Sequence, residues 1–134
     1  MQNALWQYPF CAFPDLHTRF PGKPAHSWHQ TEWLYQNACG LINPSLYEGF
    51  GIPNIEAFSQ NCGVICSELP VFKEVCRDAA WYFNAQSNES LKTTLENYIE
   101  NYDRVSEGIS KGKVIFEELQ TQNRSSIIMN TLSK

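Results

Sequence analysis

At 134 residues the chain has room for one domain of the usual ~50–250 residues and not for two full ones. Hydrophobic residues make up 43% and charged residues 18%, near the ordinary globular balance, which excludes wholesale disorder. The net charge of −4 argues against nucleic acid as a partner, because binding phosphate backbones needs clustered Lys and Arg. No apolar run approaches the ~20 residues of a transmembrane segment.

The N-terminus lacks a basic start, and Pro9, Pro14, Asp15 and Pro21 interrupt what would have to be a continuous apolar core, so no signal peptide is expected. The expected location is cytoplasmic, either free or peripheral to the inner membrane face. Five cysteines, Cys11, Cys39, Cys62, Cys66 and Cys76, fit free thiols in a reducing compartment. Cys62 and Cys66 have the spacing of a metal hook, but Val64-Ile65-Cys66 reads as a strand and no second pair follows. His17, His26 and His29 show no ligand spacing, so no metal site is expected.

Residues 1–27 hold four of the seven prolines, several aromatics and no period of 2 or 3.6, and stay unassigned. Residues 28–134 read as one domain. Trp33, Leu34 and Ala38 recur at helical spacing before Gly40, which predicts a helix at about 30–39. Leu41-Ile42 is then a short buried strand that Pro44 stops. Beyond the loop 44–52, Pro53 suits a first helical turn, and Ile55 and Phe58 give a core-facing side to a helix at about 53–61. Cys62-Gly63 ends that helix, and Val64-Ile65-Cys66 is a second apolar run. Strand, crossover helix and strand make a βαβ unit with parallel strands, which should be uniformly apolar when both sheet faces are covered. After a loop from Ser67 to Pro70 come a short helix at about 71–76 and a third strand at Trp81-Tyr82-Phe83. Ser87 or Asn88 caps a helix reaching about Ile99, with Leu91, Leu95 and Ile99 on one face. The C-terminal region reads as helical, with apolar clusters at 105–116 and 127–132 and with Gly108 and Gly112 against it. The fold class is therefore α/β, a partial Rossmann-like parallel sheet flanked by helices.

In open α/β sheets ligands sit outside the carboxyl ends of the strands, where the loop 44–52 lies. Gly49 and Gly51 allow close backbone approach, and the start of the next helix offers unpaired N–H groups with about half a unit of positive charge. A sugar diphosphate would suit such a place. Phe50 either packs against a ligand ring or fills the core. Glu48 and Glu56 flank the turn. In one continuous helix they would lie about 12 Å apart along the axis, but the Gly-Phe-Gly-Ile-Pro break, with Glu56 in the first helical turn, lets both face one crevice. Ionised carboxylates only accept hydrogen bonds, so vicinal sugar hydroxyls are natural partners. A plainer account is also open, in which Glu48 is solvated and Glu56 merely complements the helix dipole.

The run Pro44-Ser45-Leu46-Tyr47-Glu48-Gly49-Phe50-Gly51-Ile52-Pro53-Asn54-Ile55-Glu56-Ala57 resembles the signature of the retaining glycosyltransferases of the GT-B fold, the glycosyl transferases group 1 class, with its E-x7-E motif. The resemblance extends through Val64-Ile65-Cys66-Ser67, Leu69-Pro70, Glu74-Val75, Asp78-Ala79-Ala80 and Tyr82-Phe83, and back to Leu34-Tyr35-Gln36-Asn37-Ala38, covering about residues 28–100. It implies the C-terminal, donor-binding half of such an enzyme. By that resemblance Glu56 binds ribose hydroxyls of a nucleotide-diphosphate sugar, and Glu48 contacts the transferred sugar as the catalytic carboxylate. Gly49, Phe50, Gly51 and Ile52 hold the sugar and diphosphate, the last three by their backbone N–H groups. The family needs no metal or other cofactor for this, and the leaving diphosphate itself takes the acceptor's proton. The acceptor domain and the basic pair that neutralises the diphosphate have no match here; Arg19 and Lys23 lie in a stretch unlike the family. Transfer would then require a separate acceptor-domain chain or self-association. Two rivals remain: a non-catalytic nucleotide- or sugar-binding interaction domain, and a glycosidase using Glu48 and Glu56, which a helix N-terminus disfavours because it keeps an acid ionised.

Overall fold

The computed structural model describes residues 28–132, with side chains placed for 30–123. The segment 1–27 with Cys11, His17, His26, Arg19 and Lys23 lies outside the described residues, as do the side chains of His29, Ile127, Ile128 and Leu132. In chain order the elements are α1 (Trp28–Asn37), β1 (Leu41–Asn43), α2 (Ile52–Ser59), β2 (Val64–Ser67), α3 (Pro70–Cys76), β3 (Trp81–Phe83), α4 (Asn88–Glu100) and α5 (Tyr102–Leu132). The strands form one parallel sheet in the order β1-β2-β3. Two successive βαβ units, with α2 and α3 as crossovers, account for that order.

Strand alternation sorts the core into two clusters on opposite faces. Val64 and Cys66 of β2 join Ala57 and Phe58 of α2, Phe72 and Cys76 of α3, and Ile115 of α5. Ile65 turns the other way and joins Trp81, Phe83 and Tyr98, the last from α4. All four residues of β2 are buried, as expected of a central parallel strand. β1 departs from the expectation of a uniformly buried strand, because Ile42 is 45% exposed. Leu41 N–H donates to Gly63 O at 2.8 Å, so in a parallel ladder Leu41 and Asn43 bond β2 while the backbone N–H and C=O of Ile42 point away from it. β1 is an edge among the described residues, and α4 packs on β3, leaving the Ile42 side of the sheet uncovered there.

Local chemistry explains the helix limits. Ser87 is the cap of α4, accepting from Ser90 N–H at 3.1 Å. Pro70 opens α3, where a missing N–H costs nothing. Tyr98 donates to Cys39 O at 2.5 Å and meets Trp81 edge to face, which fastens α4 to the sheet. The two glycines that weaken the helical signal near the C-terminus sit inside one continuous helix, α5, at its contacts with the core. At Gly112 a Cβ would fall 2.2 Å from Cδ1 of the fully buried Phe58. This close approach is what the missing side chain permits.

Gly112→Ala is therefore expected to lose about 1–3 kcal/mol to overpacking, more than the ~1 kcal/mol alanine gains in helix propensity. Urea denaturation checks this, and an increase in stability would contradict the packing described.

Candidate functional site

The site is built where β1 ends and α2 begins. Asn43, the last residue of β1, is buried, and its side chain ties both ends of the loop 44–51 together. Its Nδ2 donates to Oδ1 of Asn54 at 2.9 Å, its Oδ1 accepts from Ser45 Oγ at 2.8 Å, and its carbonyl accepts from Ser67 Oγ at 3.2 Å. Asn54 is fully buried, and its Nδ2 reaches Cys76 Sγ at 3.7 Å. Buried amides are tolerated only with such partners, so this network fixes how the loop leaves the sheet. Beneath it, the Cys66 thiol is pushed up by its hydrogen bond with Cys76 and by burial.

The turn itself rests on Gly51, whose φ of 90° and ψ of 49° lie in the left-handed region. Its carbonyl accepts from Asn54 N–H at 3.0 Å and from Ile55 N–H at 3.4 Å, which starts α2. A Cβ there would lie 2.7 Å from the Phe72 ring, so glycine is required both for conformation and for space. Among the described residues, the amides of Phe50, Gly51 and Ile52 donate to no protein acceptor. Those of Gly51 and Ile52 are orphan N–H groups of the helix start, with the partial positive charge that such an end carries, and Phe50 directly precedes them.

Glu48 and Gly49 lie in the loop before this bend, and Glu48 is half-buried with no hydrogen bond or ion pair among the described residues. Phe50 is 38% exposed and belongs to neither buried cluster, so it does not fill the core. Ile52 is also exposed. Glu56 differs from expectation. Because Gly51 caps the helix and α2 begins at Ile52, Glu56 is the fifth residue of α2 and falls just past its first turn. The dipole's hold on it is weaker than the sequence suggested. Its Oε2 instead accepts from the Tyr35 hydroxyl of α1 at 3.3 Å. Burial, with the Glu56 charge and this hydrogen bond behind it, pushes the Tyr35 phenol up to about 12. Tyr35, Asn43 and Asn54 were not singled out from the sequence. Their contacts join residues 11 and 21 positions apart, and no periodicity marks them.

The model of the glycosyl transferases group 1 family matches residues 17–113. The chain belongs to this family. The match is wider than the resemblance at 28–100 and takes in Arg19 and Lys23. Over 80 residues, 60% of this chain, the glycosyltransferase domain is 40% identical to the O-antigen chain mannosyltransferase RfbU of Salmonella typhimurium. It is 37% identical over 71 residues, 53% of the chain, to the serotype-specific mannosyltransferase WbdA of Escherichia coli. It is 45% identical over 47 residues, 35% of the chain, to the O-antigen chain mannosyltransferase B of Escherichia coli. The aligned stretches amount to 23%, 9% and 12% of those relatives' lengths, so this glycosyltransferase domain spans under a quarter of each.

Gly51→Ala is expected to lose about 1–3 kcal/mol through backbone strain and the Phe72 contact. Gly49→Ala serves as its control: a Cβ at Gly49 meets nothing within 4 Å, so a change within about 0.5 kcal/mol is expected. Equal losses in urea denaturation would show that the bend does not depend on Gly51.

Proposed function

We propose that this glycosyltransferase domain binds a nucleotide-diphosphate sugar and presents it for transfer with retention at the anomeric carbon. The observation that carries the reading is the left-handed Gly51 bend, at which three amides have no protein acceptor, and nearby Glu48 no bonding partner, among the described residues. In this reading the amides of Phe50, Gly51 and Ile52 hold the diphosphate, Gly49 lets the backbone come close, and Glu56 accepts from ribose hydroxyls. Glu48 accepts from hydroxyls of the transferred sugar. As the bond between the anomeric carbon and the diphosphate oxygen breaks, negative charge gathers where the amides point, and positioning with charge stabilisation supplies the rate. The acceptor's proton passes to the leaving diphosphate, so neither a protein nucleophile nor a metal is required.

A mannosyl donor is the first to test, since the named relatives are mannosyltransferases. Transfer itself is proposed to need the acceptor-binding portion that the longer relatives have room for, supplied by another chain or by self-association. No helix among the described residues is long and apolar enough to cross a membrane.

Isothermal titration of the chain with UDP-, GDP- and ADP-linked mannose, and with the corresponding glucose compounds, tests the reading. Micromolar binding of one donor is expected. Glu56→Ala should weaken it about 10- to 100-fold, the range for a lost hydrogen bond to a charged group. Absence of binding by every donor, or equal binding by the variant, would refute the assignment.

A further inference from the structure

The fixed geometry of Glu56 comes from another helix. Tyr35 sits on α1, half-buried against the main core cluster, and its hydroxyl reaches Glu56 Oε2 at 3.3 Å. Next to it, Gln36 Nε2 donates to Gln60 Oε1 at 2.7 Å. Glu56 and Gln60 are four apart and so lie on one stripe of α2, and consecutive residues of α1 grip both. Among the described residues no other group bonds the Glu56 carboxylate. A carboxylate has about four acceptor positions, so one phenol leaves the rest for a vicinal diol.

We propose that Tyr35 is a positioning residue for Glu56, holding one carboxylate oxygen so that the other presents its acceptor sites to the two ribose hydroxyls of the donor nucleotide. The inference rests on the donor-binding reading above and adds to it a residue from outside the glycine-rich motif. Burial keeps the phenol protonated far above neutral pH, so Tyr35 stays a donor to the carboxylate throughout the working range. Pre-setting the glutamate rotamer removes an ordering cost that a free side chain would incur on binding. Phenylalanine keeps the ring and its packing while deleting only the hydroxyl, which makes Tyr35→Phe a folded and selective probe.

The test is calorimetric titration of the full chain with UDP, GDP and ADP and with the 2′,3′-dideoxy form of whichever binds. The arms are the unsubstituted chain, Tyr35→Phe, Glu56→Gln and the double variant, with circular dichroism on each. Tyr35→Phe should weaken the ribonucleotide about 5- to 20-fold and leave the dideoxynucleotide unchanged. In the double variant it should add nothing to the loss from Glu56→Gln. A role in stability alone would lower both affinities together or neither, and either result overturns the proposal. If Glu56→Gln weakens the ribonucleotide while folded Tyr35→Phe does not, positioning by Tyr35 fails and the donor site stands. If no nucleotide binds, or Glu56→Gln has no effect, the donor-binding reading of Glu56 falls and the role of Tyr35 falls with it.

Discussion

The chain must turn from the carboxyl end of β1 into α2 within a short loop while the ring of Phe72 presses on the turn from below. Only a residue without a Cβ can occupy that point at a φ of 90°, and Gly51 does so. The placement of α2 follows, since the Gly51 carbonyl accepts the first helical N–H bonds. Among the described residues, the amides of Phe50, Gly51 and Ile52 at this bend are left without a protein acceptor. Structure and proposed chemistry thus share one origin: the bend that starts α2 beside Phe72 also places the amides to which the proposed function assigns the diphosphate.

The loop is held by polar contacts inside an otherwise apolar layer. Asn54 has no exposed surface, and its side chain bonds Asn43 and the buried Cys76 thiol. An apolar residue of similar size would fill the space but would not hold Asn43, and through it Ser45, at the root of the loop. Burying an amide costs free energy unless its donors and acceptors are met, and here Asn43 and Cys76 meet them. Such a pair makes the loop's exit direction specific rather than merely stable. α1 then adds a second layer of definition through Tyr35 and Gln36.

Much of the fold was legible because parallel strands leave a plain mark: Val64-Ile65-Cys66 is apolar without alternation and is buried throughout. Pro53, Cys62-Gly63 and Pro70 bracketed the elements, and observed limits differ from expectation by one or two residues at most helix ends. Ile42 reads as buried in the sequence but is exposed, since whether a strand is central or at an edge depends on its neighbours and not on its own residues. Glycines 108 and 112 weaken the helical signal of the C-terminal region, although at helix contacts a small residue serves packing and outweighs propensity. Within the site, the glycine-broken turn and the two glutamates were visible as a motif. The Tyr35–Glu56 hydrogen bond joins side chains 21 residues apart on two helices, and no local pattern marks such a contact.

The account stands or falls on whether the amides freed by the Gly51 bend are where the diphosphate binds. The direct measurement is an amide-resolved NMR titration of the nitrogen-15-labelled chain with a nucleoside diphosphate sugar. The account predicts saturable shifts that are largest at the amides of Phe50, Gly51 and Ile52. Saturable binding that leaves those three amides unmoved while shifting others would contradict it.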